Sequence, residues 1–174
     1  MDKIIIQYLK SPCGELLLGS FEDKLCLCGW RYRKMRPAID NRLKKGVGGD
    51  FVEGTEGTSE VLDRTTQQLQ EYFSGNRKQF DLPLLTIGTP FQQAVWEALR
   101  RVPYGRTLSY LQLAERMGNR KAIRAVASAN GANALSILIP CHRIIGANGQ
   151  LVGYGGGLGA KKKLLKLENP SFSA

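Results

Sequence analysis

The chain has 174 residues, 43% of them hydrophobic, enough to pack one domain or two small ones and too many for wholesale disorder. No run approaches the roughly 20 apolar residues of a membrane span, and the opening MDKIIIQYLK lacks the long apolar stretch and small-residue cleavage site of a signal peptide, so the expectation is a protein of the cell interior with no membrane partner. The formal charge of +10 is unevenly divided: residues 1–87 carry 13 Lys/Arg against 12 Asp/Glu and residues 88–174 carry 12 against 3, so the excess that attracts a polyanion such as DNA lies in the second half.

In chain order, IIIQYL, GELLLGSF and KLCLCGW are short β-type runs separated by SPCG and EDK, which have turn chemistry. They predict a three-stranded antiparallel sheet. Residues 33–57 start with Lys/Arg and end in the glycine-rich GVGGDFVEGTEGT, which has no clear period and predicts a loop. Ser59 to Phe73 sets Val61, Leu62, Leu69, Tyr72 and Phe73 mostly on one helical face, and Gly75 is a natural stop. Residues 1–80 therefore read as a small sheet-plus-helix domain, followed by a linker at 81–89 that contains Pro83 and Gly88.

Residues 90–174 read as a second, mostly helical domain. Thr89-Pro90 has the cap chemistry of a helix start, and Phe91, Val95, Ala98, Leu99 and Val102 form an apolar stripe that Pro103 ends. Ser109 caps a short helix through Met117, with Leu111 and Ala114 inward, and Gly118 closes it. Asn119 is the expected cap of RKAIRAVASAN, which Gly131 terminates. Two short helices joined by a tight Gly-Asn turn make a helix-turn-helix pattern. With Ile123, Val126 and Ala127 toward the core, Ala122, Ala125, Ser128 and Ala129 are left outside. Such a surface can approach a groove wall closely but is poor at reading base edges.

After Asn133, the fully apolar SILI predicts a buried strand, and Pro140-Cys141-His142-Arg143 follows. A thiol beside the chain's one histidine is a candidate activated nucleophile. Neighbouring side chains on an extended chain point apart, however, so adjacency does not by itself make a Cys–His hydrogen bond. The later GYGGGLGAKKK is glycine-rich but lacks the GK[ST] ending of a nucleotide-binding P-loop. Cys13, Cys26, Cys28 and the lone histidine fit no common zinc spacing, so no metal and no cofactor are expected.

The string ILIPCHRIIGANGQLVGYGGGL closely resembles the active-site segment of the O(6)-alkylguanine-DNA alkyltransferases. The likeness runs from about Thr89 through Glu168, including TPFQQAVWEALRRVPYGRTLSY, RAVASANGAN and LLKLE; the N-terminal half is similar only in its pattern of sheet then helix. The resemblance implies an α/β fold of the α+β kind, with a winged-helix-like helix-turn-helix in residues 90–174. It implies DNA repair by irreversible, stoichiometric transfer of an alkyl group from O(6)-alkylguanine, with O(4)-alkylthymine an open extension. The implied partner is duplex DNA, bound by a monomer mainly through the minor groove.

Residue by residue, the resemblance makes Cys141 the alkyl acceptor, His142 the group that deprotonates it through a water, and Glu168 the carboxylate that orients His142. Arg124 matches the finger that fills the gap left by the extruded base. Tyr110 matches the tyrosine that turns the phosphate and protonates the leaving guanine, and Asn133 the asparagine that ties the turn before the active-site strand. Tyr154 with Gly155, Gly156 and Gly157 matches the lid over the base. The DNA-facing set is Arg124, Tyr110, Ala122, Ala125, Ser128, Ala129 and Arg143. Three features depart from the family pattern: the histidines of the vertebrate zinc site are missing, and Ala134 and Gly155 stand where relatives often carry other residues. Of the alternatives, a non-catalytic sensor of alkylated DNA lacks the acceptor that Cys141 provides. A transcription factor needs base-reading side chains where Ala122, Ala125 and Ala129 stand, and a cysteine hydrolase would turn over repeatedly.

Overall fold

Short apolar runs, two of them buried almost throughout, build the first sheet. In the computed structural model, which describes residues 2–173, β1 (Asp2–Ser11), β2 (Gly14–Phe21) and β3 (Lys24–Trp30) pair antiparallel, as the sequence predicts. Glu22 and Asp23 both adopt positive φ (49° and 61°), the signature of the two-residue hairpin turn that matches strand twist.

The expected loop at 33–57 is instead a helix and a strand. α1 (Arg36–Val47) buries only Ile39 and Leu43 among Lys and Arg, an apolar face too sparse to give a visible period. Gly48, at φ 69°, closes it by donating its N–H to the Lys44 carbonyl. β4 (Gly49–Glu53) then pairs parallel with β1, so the sheet is four-stranded and mixed, in the order β3-β2-β1-β4. Only glycine fits at position 49, where a Cβ would lie 2.1 Å from the Asp2 carbonyl oxygen. α2 (Glu60–Phe73) forms as predicted: Ser59 Oγ accepts from Leu62 N, and Val61, Leu62, Leu69 and Tyr72 are buried.

In the second half the cap chemistry is realised twice. α3 (Pro90–Arg100) and α4 (Tyr110–Arg116) each begin with a reciprocal capping box, Thr89 with Gln92 and Ser109 with Gln112. Leu113 and Ala114 are the buried residues of α4, while Leu111 is only half-buried. The following helix does not start on an Asn119 side-chain cap: a 3₁₀ turn (Arg120–Ala122) leads into α5 (Ile123–Gly131). β5 (Leu108–Ser109) pairs parallel with β6 (Ile144–Ile145), and α6 (Leu158–Glu168) closes the chain.

Two expectations about facing are corrected. Ala129 is buried and Ile123 is exposed, because α3 docks on that side of α5, where Trp96 Nε1 donates to the Ala129 carbonyl at 2.9 Å. The SILI run is not a strand. Leu135 makes a single bridge to Cys28, Ser136 N donates to the Cys28 carbonyl, and Ile137 turns the chain at φ 73°. Its apolar composition reflects burial between the two halves of the chain rather than sheet pairing. The halves share one core, in which Leu16, Leu18 and Leu25 of the sheet pack with Val95, Leu99 and Leu113 of the helices. Segment 81–89 is docked too, with Leu25 N donating to the Pro83 carbonyl and Leu85 N to the Leu25 carbonyl. Among the described residues, no helix is long and apolar enough to cross a membrane.

Candidate active site

Cys141, His142 and Arg143 form a single 3₁₀ turn after Pro140, and all three are buried. A 3₁₀ turn separates successive side chains by about 120°. Among the described residues no hydrogen bond joins Cys141 Sγ to His142, so the two do not act through direct contact.

His142 points instead to Glu168, with Nε2 2.7 Å from Oε2. The same carboxylate accepts from Arg143 Nε at Oε1 (2.7 Å), from Arg143 Nη2 at Oε2 (3.1 Å) and from the Tyr72 hydroxyl at Oε2 (2.6 Å). Burial opposes its charge, but His142 and Arg143 together hold the carboxyl well below the usual carboxylate range. An ionised carboxylate only accepts, so a neutral His142 must carry its proton on Nε2. Burial also lowers the His142 pKa, against the pull of Glu168, which favours that neutral ring. Its Nδ1 is buried and has no partner among the described residues. The arrangement leaves one bare, oriented base.

Cys141 belongs to the wall of a cavity of about 280 Å³, a size at the small end of ligand sites. Tyr110, Asn130, Ser136, Gly153, Tyr154 and Gly155 also line it. Burial pushes the Cys141 thiol up; Asn133, the Arg33 guanidinium and the Lys161 ammonium pull it back. Asn133 also ties the local turn, donating Nδ2–H to the Ile139 carbonyl (2.8 Å) and accepting from Leu135 N (3.0 Å). Burial raises the Tyr110 phenol, so it stays protonated and can donate. Tyr154 packs edge-on against Trp30 and His142, with ring centroids 6.0 and 6.5 Å apart.

The outer surface of α5 borders this cavity. Arg124, Ala125 and Ser128 are exposed and Ala122 is half-buried, while Ala127, one turn beyond Arg124, is a cavity wall. Two members of the expected DNA-facing set do not belong there. Ala129 lies beneath the helix, and Arg143 is 7% exposed with its guanidinium committed to Glu168 and to the Val102 carbonyl. Arg143 is a partner of the carboxylate, not of a phosphate.

Four contributors went unseen in the sequence. Lys161 read as one of three solvated lysines, yet it is fully buried and donates to the carbonyls of Ile144 (2.5 Å), Val152 (2.9 Å) and Gly153 (3.3 Å). Burial lowers its pKa to about 8. The helical period does pass through it, since Lys161, Leu164, Leu165 and Glu168 share one buried stripe. Trp30, Arg33 and Tyr72 come from the N-terminal half; the helical period marks Tyr72 as buried, but no local pattern marks any of the three as a site residue. Arg33 Nη2 donates to the Gly131 carbonyl at the end of α5, and its guanidinium lies over Gly155. A Cβ at 155 would fall 2.5 Å from Arg33 Cζ, and one at 156 would meet the Trp30 indole at 2.7 Å. The glycines let this loop, the expected lid, approach the N-terminal half.

The comparisons with known proteins agree over the whole chain. Residues 4–86 match the model of the 6-O-methylguanine DNA methyltransferase ribonuclease-like domain, and residues 90–170 match its DNA binding domain. A methylated-DNA--protein-cysteine methyltransferase of Mycobacterium leprae is 54% identical over 160 residues, covering 92% of this chain and 89% of the relative. A constitutive one of Bacillus subtilis is 42% identical over 165 residues, covering 94% of both. The chain belongs to the 6-O-methylguanine DNA methyltransferase family. The crystal structure of a Mycobacterium tuberculosis member in complex with DNA superimposes with a TM-score of 0.81 at 36% identity, covering 95% of this chain and 93% of that one. Membership extends to the N-terminal half, where the sequence by itself resembled the family only in outline.

Proposed function

We propose that the protein repairs alkylated DNA by moving the alkyl group of O(6)-alkylguanine onto Cys141, once per molecule. One observation carries this reading: a buried cysteine in the wall of a small cavity, beside a histidine whose Nδ1 is bare and whose Nε2 is held by an ionised carboxylate. Residues 90–174 hold the DNA and the nucleophile, and residues 1–80 supply part of the pocket and its support. Duplex DNA meets the basic half as a partner of a monomer inside the cell, with the small-residue face of α5 in the minor groove.

Cys141 sits behind the cavity, so the base must leave the helical stack, at a cost of a few kcal/mol. Arg124, exposed beside the cavity wall, fills the gap and offsets part of that cost. The thiol passes its proton through a water to His142 Nδ1, and Glu168 stabilises the imidazolium that forms. The thiolate sulfur attacks the alkyl carbon in line as the carbon–oxygen bond breaks. The electron pair departs with the guanine, to whose N3 the Tyr110 hydroxyl donates a proton; the phenolate regains one through water from the His142 imidazolium, so that the thiol's proton ends on the base. A thioether does not hydrolyse, so the acceptor is spent.

Intact-mass measurement after incubation with excess O(6)-methylguanine duplex tests this. Each chain should gain one methyl group, mapped to Cys141, and repair should stop at one lesion per protein. Cys141→Ala should bind DNA and transfer nothing. Multiple turnovers, or a methyl on Cys13, Cys26 or Cys28, would overturn the assignment.

A further inference from the structure

The carboxylate behind His142 is held from both halves of the chain. Tyr72, on α2, is fully buried, and its hydroxyl donates to Glu168 Oε2 at 2.6 Å across 96 residues of sequence. That is the oxygen His142 Nε2 faces at 2.7 Å. The Tyr72 ring packs against Phe73, Phe80 and Tyr104, and a phenylalanine would fill the same space. Packing accounts for the ring and leaves the hydroxyl to be explained.

A donor on a carboxylate oxygen withdraws charge from it and weakens its hold on any other donor at that oxygen. We propose that Tyr72 is a positioning residue for alkyl transfer, which sets the basicity of His142 by sharing Glu168 Oε2 with it. This rests on the reading of Cys141, His142 and Glu168 as a proton relay. With the hydroxyl present, Oε2 is divided between two donors, and His142 stays neutral with Nδ1 free to accept. Without it, Oε2 holds Nε2–H more tightly, the imidazolium is favoured, and the base is blocked until a higher pH.

The other groups around the pair do not duplicate this role. Arg143 engages both carboxylate oxygens, and its charge, like that of Lys161 on α6, opposes protonation of His142. The Tyr104 hydroxyl donates to the Leu167 carbonyl rather than to Glu168. Tyr154 meets His142 through its ring, and burial keeps both its phenol and the Cys141 thiol protonated at rest. Apart from His142 itself, Tyr72 is the one neutral donor on the carboxylate among the described residues.

The chain has a single histidine, so the imidazole signals in its NMR spectrum report His142 alone and need no DNA. In Tyr72→Phe the His142 midpoint should rise by about one pKa unit, roughly a tenfold change in proton affinity. The acid limb of single-turnover transfer to benzylguanine should move up by the same amount. Fluorinated tyrosine placed at position 72 keeps the side chain and makes a stronger donor; there the midpoint should fall, which secures the test if the phenylalanine variant folds poorly. A midpoint unmoved in both proteins overturns the sharing and leaves the relay reading standing. A midpoint that moves while the pH dependence of transfer stays put overturns the catalytic role and the relay reading together.

Discussion

The two halves of this molecule contribute to one site in different ways. Residues 88–174 hold 12 Lys/Arg against 3 Asp/Glu and every residue proposed to touch a reacting atom. Residues 1–87 are nearly neutral and hold none of those. Yet Trp30, Arg33 and Tyr72, all from the first half, reach the lid loop, the cavity over Cys141 and the carboxylate behind His142. Charge marks the half that meets DNA, but says nothing about which half finishes the pocket. A basic surface acts at a distance, whereas a buried donor acts only at contact.

If the second half carries the chemistry on an internal ion pair, breaking that pair should give the largest effect. Arg143→Ala would leave Glu168 buried without its cation and should destabilise the protein by about 3–5 kcal/mol, seen as a drop in the unfolding midpoint. The pH dependence has a definite sign. Because the folded-state pKa of Glu168 is depressed, its contribution is fully present above the unfolded value of about 4.3 and is lost as pH falls through the folded one. The variant should therefore lose less stability than the wild type on acidification. If Arg143 instead served phosphate, its replacement would lower the salt slope of DNA binding and leave stability untouched.

A second test separates DNA binding from chemistry within the same half. Arg124 is exposed and makes no side-chain bond among the described residues, so Arg124→Ala should leave reaction with free benzylguanine unchanged. Repair of duplex should fall by about tenfold or more, the equivalent of one or two kcal/mol lost from the extruded state. Equal loss on both substrates would remove the finger role.

The smallest expected effect tests contact between the halves. Gly155→Ser should slow benzylguanine transfer, because its Cβ would collide with Arg33 Cζ. Arg33→Ala should restore the rate, giving a coupling of about 0.5–3 kcal/mol in a double-mutant cycle. Additive effects would mean that Arg33 moves away freely and forms no part of the roof.

How much could be read beforehand depended on the range of the interaction responsible. β1 to β3 and α2 were legible from local period, and both capping boxes lie within four residues, a distance at which side-chain and backbone chemistry is written directly in the sequence. The Pro-Cys-His-Arg segment stood out through its resemblance to the alkyltransferase active-site segment, because adjacency alone does not bring Cys141 and His142 into contact. α1 and β4 were missed because one buries two side chains and the other is a polar edge strand, so neither leaves a strong apolar signal. SILI misled because burial on all sides looks the same in a strand and in a turn.

By itself, then, the sequence determined the capped helices, the first three strands and the basic half, and singled out Cys141 and His142 as the candidate nucleophile and base. Only the tertiary structure decided that Arg143 turns inward to Glu168, that Lys161 is buried on the carbonyls of Ile144, Val152 and Gly153, and that Arg33 and Tyr72 join the site. Those bonds span 8 to 98 residues, and three of the four side chains involved are charged types that ordinarily face water. Residue type alone would place them on the surface. Their burial becomes favourable only when the folded chain brings a carboxylate or carbonyl oxygens to each one.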